Sequence, residues 1–301
     1  MEKFQVTILG CGSAKPTLRH APSAQLVNFR DKLFLIDCGE GTQMQLMRAH
    51  CRFNRLRHIF ISHLHGDHCY GLPGLLSTMG LTGLDGEVVV HLPEEGVQLF
   101  KPLLDYSANG LRVEFAPYSY GNHIIYEDKS LTVNTVPLKH RLPCVGFVFR
   151  EKPRLRHLNN EMARFHEVPV RERQAIKEGA DYVKPDGTVI RNEILTTPAE
   201  PSRTYAYISD TLPLKAVVSE VTGADLLYHE ATFLNNLAPR AKQTCHTTAA
   251  DAGRVAREAG VKQLIIGHFS SRYLNESPLL EEAKAEFPNT LLAREGLTVD
   301  V

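Results

Sequence analysis

One short run, Ser62-His63-Leu64-His65-Gly66-Asp67-His68, constrains this chain more than any other. It places four candidate metal ligands directly after an apolar, strand-like segment, His58–Ile61. Alternate residues of an extended chain share a side, so His63 and His65 face one way while the following turn carries Asp67 and His68 round to a second position. Imidazoles this close repel one another when protonated, and a cation between them removes that cost. Nitrogen and carboxylate donors suit Zn²⁺, and also Mn²⁺ or Fe²⁺. The spacing therefore predicts a cradle for two metal ions.

The rest of the composition frames that cradle. The chain has 301 residues, twice the ~150 of a typical domain, so it holds either one large α/β unit with an insertion or two small domains. Histidine is abundant, at 14 residues, whereas Lys plus Arg and Asp plus Glu balance at 34 each. No net field draws such a chain to DNA, RNA or anionic membranes, and any RNA contact must come from a local patch. Apolar runs fall short of the ~20 residues that span a bilayer, and Met1–Gly10 enters a strand-like alternation at once, so a cytoplasmic protein with no membrane partner is expected. The six cysteines, Cys11, Cys38, Cys51, Cys69, Cys144 and Cys245, form no C-x-x-C pair and are expected as free thiols.

Turn-punctuated β-branched and aromatic runs predict strands at Phe4–Leu9, Gln25–Phe29, Leu33–Ile36, His58–Ile61, Val88–Leu92, Leu131–Val136 and Val145–Phe149,. Helical spacing predicts Gly41–Ala49, Leu72–Met79 and Glu94–Tyr106,. The second half repeats the pattern, with strands at Thr204–Ile208, Leu226–Tyr228 and Gln263–Ile266 and helices at Leu214–Val221, Thr247–Ala259 and Pro278–Phe287. Between the halves, residues 151–201 carry many charges and few large apolar residues. This stretch is expected as a projecting insertion unable to supply a core layer, read either as a solvated charged hairpin or as a basic arm that grips phosphates. Its first part holds Arg154, Arg156, Arg171 and Arg173.

His63-x-His65-x-Asp67-His68 resembles the signature of the metallo-β-lactamase superfamily. The strand-and-turn Phe34-Leu35-Ile36-Asp37-Cys38-Gly39-Glu40-Gly41-Thr42-Gln43, the H-E-A-T run His229-Glu230-Ala231-Thr232, His246-Thr247-Thr248 and His268-Phe269-Ser270-Ser271-Arg272-Tyr273 are similar to the ribonuclease Z branch, endonucleases that trim the 3′ trailer from precursor tRNA. The resemblance implies an α/β fold, a four-layer αββα sandwich with an inserted flexible arm: residues 1–150 and 202–301 as catalytic core, 151–201 as tRNA-binding arm. It implies two Zn²⁺ per subunit, one on His63, His65 and His140, the other on Asp67, His68 and His268, with Asp210 between them. Asp67 would orient the attacking water, and His246 polarised by Glu230 would protonate the departing oxygen. A homodimer is implied too, and Ser270, Arg272 and Tyr273, which directly follow His268, are expected to contact RNA. The sequence departs from the family in the arm tip, Val168-Pro169-Val170-Arg171-Glu172-Arg173, and in the first loop, where His20 follows Arg19 in place of the usual Asn.

Neighbouring residues have plainer readings. Cys69 and Cys245 are expected to pack as small apolar groups. Asp37 is read equally as a partner of a ligand histidine or as a turn former. His91, His123, His157 and His166 lack ligand spacing. Two other functions fit less of the sequence: a hydrolase of small phosphodiesters or aryl sulfates, which needs no arm, and a metal-free tRNA-binding protein, which needs no ligand set.

Overall fold

The computed structural model describes residues 2–83, 86–107 and 110–301; Met1, the first residue of the strand-like alternation Met1–Gly10, lies outside them. The larger of two compact units runs to Glu127 and includes Thr132–Phe149 and Thr204–Val301. Its first seven-stranded sheet holds β1 (Phe4–Gly10), β2 (Ala24–Phe29), β3 (Lys32–Ile36), β4 (Leu56–Phe60), β5 (Glu87–Pro93), β6 (Arg112–Tyr118) and β18 (Thr298–Asp300), in the order β18-β1-β2-β3-β4-β5-β6. The second holds β7 (Ile124–Glu127), β8 (Leu131–Leu138), β9 (Cys144–Glu151), β14 (Thr204–Ile208), β15 (Leu226–Glu230), β16 (Gln263–Gly267) and β17 (Thr290–Leu292), in the order β17-β16-β15-β14-β9-β8-β7.

Central strands read as unbroken apolar runs because both of their faces are covered. On β3, Phe34 meets Phe149 of β9 edge-on at 5.9 Å, and Phe60 of β4 lies 5.6 Å from Phe147. The inner faces of the two sheets thus interlock through aromatic rings. Leu35, Ile59 and Val90 bury instead with Leu46 of α1 (Thr42–Arg48), Leu75 and Met79 of α3 (Leu72–Leu81), and Phe100 and Leu104 of α4 (Glu94–Ser107). The outer face of the second sheet is covered by α10 (Ala249–Ala259), which packs on β15 and β16, and by α11 (Ser277–Glu286) on β17. A reciprocal Thr248–Asp251 capping box starts α10, and Gly260 at φ 60° ends it,. The layering is the expected αββα sandwich.

In the larger unit four of the described strands escape the periodicity argument, β6, β7, β17 and β18, and all four are sheet edges. Edge strands tolerate exposed residues and proline, as Pro117 in β6 illustrates, because one side of the ladder needs no partner,. The short polar helix α9 (Ala238–Thr244) is likewise unmarked by apolar spacing.

The insertion corrects the expectation of a segment without a core. The smaller unit, Asp128–Leu131 with Arg150–Arg203, contains two antiparallel strand pairs, β10 (His157–Leu158) with β13 (Thr196–Thr197) and the hairpin of β11 (Tyr182–Val183) with β12 (Val189–Ile190). Three short helices accompany them, α5 (Asn160–Phe165), α6 (Arg173–Lys177) and α7 (Asn192–Leu195). Ala163, Val168, Ile176, Tyr182, Ile190 and Leu195 bury together as its core, with Leu158 and Met162 against them. These residues come one or two per element, so no window of sequence shows a periodic face. Polar groups lock the unit as well: Asn159 caps α5 by accepting from the Glu161 and Met162 amides, and the buried Asn192 donates to the carbonyls of Ile176 (2.6 Å) and Ala180 (2.8 Å).

Candidate metal centre

Strand β4 ends at Phe60, and the chain then passes through His63 and His65 into the single turn α2 (Gly66–Cys69), which carries Asp67 and His68. Close backbone contact holds this turn down: a Cβ on Gly39 would lie 2.4 Å from the Asp67 carbonyl, and one on Gly71 would lie 2.1 Å from the Gly39 carbonyl. His140 follows β8, Asp210 follows β14 and His268 follows β16. Asp210 (φ 51°) and His268 (φ 59°) both sit in left-handed backbone, a conformation that costs a non-glycine residue about 1–2 kcal/mol.

These side chains form two adjoining groups. His65 Nδ1 lies 3.0 Å from His63 Nε2 and 3.2 Å from His140 Nε2, and Asp210 Oδ2 lies 3.2 Å from His63 Nε2 and 3.5 Å from His140 Nε2. In the second group His68 Nε2 and His268 Nε2 are 3.4 Å apart, with Asp67 Oδ2 at 3.7 Å and 3.5 Å from them. Asp210 serves both, placing Oδ2 3.5 Å from His68 Nε2 and Oδ1 3.0 Å from His268 Nε2. Four of the ligand histidines engage their other ring nitrogen. His68 Nδ1 contacts Asp37 Oδ2 at 2.7 Å, His140 Nδ1 donates to the Cys245 carbonyl at 3.0 Å, His268 Nδ1 contacts Thr232 Oγ1 at 3.0 Å and His63 Nδ1 contacts Ser62 Oγ at 3.1 Å. Such outer partners fix ring orientation and leave the facing nitrogens as donors toward an ion.

The charge pattern fits divalent cations. Burial holds His63 and His140 below the ordinary histidine range, and burial with the neighbouring His63 and His140 holds His65 down to about 4. Three neutral imidazoles therefore converge, with no proton to share among them. Burial disfavours the charged form of His68 too, yet Asp210, Asp37 and Asp67 raise it to about 9, and His268 is raised against burial chiefly by Asp210. An excess of carboxylate thus faces the second group, the electrostatic gap that a cation fills. Asp37 resolves as the histidine partner: wholly buried, it also accepts from Ser62 N (2.7 Å), Ser62 Oγ (2.9 Å) and Tyr207 OH (2.7 Å).

Beside the cluster, His246 lies 4.9 Å, ring to ring, from His140 and 5.4 Å from His268. Its Nδ1 is 2.9 Å from Oε1 of the buried Glu230, a carboxylate that also accepts from Thr211 N (2.8 Å) and Thr232 Oγ1 (2.5 Å). Burial alone would lower His246, but the Glu230 charge and hydrogen bond raise it. A carboxylate on Nδ1 leaves Nε2 as the nitrogen that exchanges a proton with a substrate.

The remaining candidates are more firmly engaged than the sequence suggests. Arg272 lies over the Phe233 ring (4.8 Å) and donates to Ser270 Oγ (3.0 Å), while the Tyr273 hydroxyl accepts from Leu234 N (2.9 Å). In the insertion, Arg154 pairs with Glu151 (2.5 Å) and Glu200 (3.5 Å), Arg156 donates to Thr196 Oγ1 (2.7 Å), Arg173 is half-buried and Arg171 is exposed beside Glu172. Acidic and basic residues balance over 151–201, so the positive excess belongs only to its first part. His91 stacks on Phe60 at 4.5 Å. Three contributors receive no role from the sequence, although the first two stand inside runs quoted from it: Ser62, Thr232 and the Ala14 amide, which donates to Asp67 Oδ2 at 2.6 Å from left-handed backbone.

An αββα sandwich with a His/Asp cluster at its strand ends belongs to the metallo-β-lactamase fold class. Solved structures agree on the fold: human tRNase Z, short form, aligns with a TM-score of 0.71 at 23% identity over 99% of both chains, and the metallo-β-lactamase fold protein YhfI from Bacillus subtilis with 0.71 at 19% over 99% and 100%. Residues 4–97 match the family of the Anti-Pycsar protein Apyc1. Over its whole length the chain is 53% identical to ribonuclease Z of Bacteroides fragilis and 49% identical to that of Porphyromonas gingivalis, each covered completely. The chain belongs to the ribonuclease Z family.

Proposed function

We propose that this protein is a zinc-dependent endoribonuclease that removes the 3′ trailer from precursor tRNA, leaving a 3′-hydroxyl on the tRNA and a 5′-phosphate on the trailer. The observation that carries the reading is the pairing of a seven-residue donor cluster with an adjacent histidine, His246, which lies within reach of Asp210 and His268 but has Nδ1 bound to the Glu230 carboxylate. His63, His65 and His140 would hold one Zn²⁺, Asp67, His68 and His268 the other, and Asp210 both. When bound, the ions neutralise the phosphodiester and lower the pKa of water toward neutrality. Asp67, fixed by the Ala14 amide, orients the attacking water. Opposite it, His246 gives its Nε2 proton to the departing 3′-oxygen and Glu230 stabilises the imidazolium beforehand, a contribution of about 10²–10⁴-fold for such an acid.

Residues 151–201 form the tRNA-binding arm in this reading, with exposed Arg171 the most available phosphate contact. Arg154 and Arg156 act first in folding that unit. Ser270, Arg272 and Tyr273 line the approach of the RNA end. The working form is a cytoplasmic homodimer; among the described residues, no helix is long and apolar enough to cross a membrane. The test is incubation with a precursor tRNA, with and without chelator. Chelator-sensitive release of an intact trailer supports the proposal, and turnover of only small phosphodiesters overturns it.

A further inference from the structure

A second donor cluster lies in the larger unit, outside the centre described above. Cys11, wholly buried at the end of β1, directs Sγ to 3.3 Å from His20 Nδ1 and 3.6 Å from Glu295 Oε1. The third side of the triangle, from His20 Nδ1 to the Glu295 carboxylate oxygens, measures 3.3 and 3.2 Å. Around one tetrahedral ion with bonds of about 2.3 Å to sulfur and about 2.0–2.2 Å to nitrogen and oxygen, such edges come to about 3.3–3.6 Å. Three unlike donors are thus already spaced as three corners of one coordination sphere.

What surrounds the triangle supports this. The other ring nitrogen, His20 Nε2, lies 3.3 Å from Glu276 Oε1, the arrangement that orients a metal-binding imidazole and fixes its tautomer,. Arg19 pairs with Glu276, and the Ala21 amide donates to Glu295 Oε1 at 2.9 Å, so both carboxylates are held in turn. His20 and Glu295 also border a cleft of about 640 Å³ that includes Arg19, Glu40 and Arg48, which gives an ion a route in and leaves a fourth position open. His20 is the residue that departs from the family pattern in the first loop, and the departure supplies the nitrogen donor.

We propose that Cys11, His20 and Glu295 form a further metal site for one borderline divalent cation of the Zn²⁺ type, distinct from the candidate catalytic centre. Its ligands join the loop after β1 to the segment before β18. That loop carries Ser13, whose amide donates to the Phe269 carbonyl (3.1 Å), and Ala14, whose amide donates to Asp67. An ion here therefore clamps the loop that positions Asp67.

Cobalt tests the site without any appeal to RNA cleavage. The ligands of the candidate catalytic centre include no cysteine, so a thiolate-to-Co²⁺ charge-transfer band reports the Cys11 site alone. The apoprotein titrated with Co²⁺ should develop that band, with the intensity of one thiolate-bound ion per chain at saturation. Cys11→Ala and Glu295→Gln should each lose it and bind one fewer ion per chain by elemental analysis. Cys144→Ser, which alters a thiol 3.6 Å from His63 Nδ1, should keep it. Absence of the band from Co²⁺-saturated wild-type protein would overturn the proposal whatever the variants do. So would an unchanged ion count in folded Cys11→Ala, leaving His20 as a histidine hydrogen-bonded between two glutamates.

Discussion

Replacing Glu230 by glutamine isolates the proton-transfer half of the mechanism from the metal half. Glu230 Oε1 accepts from both His246 Nδ1 and Thr211 N, so the glutamine carbonyl must take that position and turn its NH₂ toward Thr232 Oγ1. That hydroxyl keeps an alternative acceptor, the His268 carbonyl at 3.0 Å. Packing and the ligand set are then preserved, and what is lost is the charge behind a buried hydrogen bond. Hydrogen bonds to charged groups contribute about 1.5–3 kcal/mol. At 1.36 kcal/mol per decade this predicts a fall in kcat of about 10- to 150-fold on precursor tRNA. His246→Ala, which removes the acid itself, should cost about 10²–10⁴-fold. Both variants should retain their metal and should turn over a nitrophenyl phosphodiester, whose leaving group needs little protonation, with much smaller losses. The pH profile carries the sign. Glu230 raises His246, and the acid acts while protonated, so its loss of a proton bounds activity on the alkaline side. In Glu230→Gln that limb should move to lower pH for precursor tRNA and stay in place for the nitrophenyl ester. Equal losses on both substrates, or loss of metal, would refute the general-acid assignment.

His65→Ala should abolish cleavage and reduce bound metal, measured by elemental analysis, because one of three convergent imidazoles is gone; full metal content with full activity would remove His65 from the site. Asp37→Asn should weaken metal affinity or activity by about 10–100-fold, acting on His68 directly and on His63 through Ser62, the usual cost of losing an outer partner,. Deleting Lys152–Thr197 with a short linker should raise KM for precursor tRNA and flatten its salt dependence by about one unit of log–log slope per phosphate contact removed, while turnover of a small phosphodiester is spared; an unchanged KM and slope would place recognition on the core. Acid should destabilise the fold through His91, which burial and His58 hold down to about 3. The folded state keeps His91 neutral, so its contribution is complete above the unfolded pKa of about 6.5 and is lost as pH falls toward 3, because the unfolded chain takes up the proton. Urea unfolding between pH 6.5 and 4.5 should show about 2–3 kcal/mol of lost stability that His91→Gln does not show; parallel curves for the two proteins would contradict it.

The candidate centre is legible in the sequence because its ligands sit next to strong local signals. His63 to His68 follow β4 directly, and His140, Asp210 and His268 each come one or two residues after an apolar strand. Asp37 is only half legible, since a carboxylate at a strand end looks the same whether it forms a turn or accepts from His68. Where partners are distant the sequence is silent. Cys11, His20, Glu276 and Glu295 come from opposite ends of the chain, and only His20, as a departure from the family's first loop, hints at them. The core of the insertion is hidden for a related reason: Val168, Ile176, Tyr182 and Ile190 meet in space without forming any periodic stripe. Edge strands β6, β7, β17 and β18 lack the two-sided burial that makes strands conspicuous.

The central claim concerns one bond in one substrate, and mapping both new ends after cleavage of a precursor tRNA tests it most directly. The expected products are a tRNA ending in a 3′-hydroxyl and a trailer beginning with a 5′-phosphate, the outcome of water attacking phosphorus while His246 protonates the departing 3′-oxygen. A 2′,3′-cyclic phosphate on the tRNA with a 5′-hydroxyl on the trailer would mean that the ribose, and not water, is the nucleophile. That result would contradict Asp67 as the residue that orients the attacking water and His246 as the acid that protonates the 3′-oxygen.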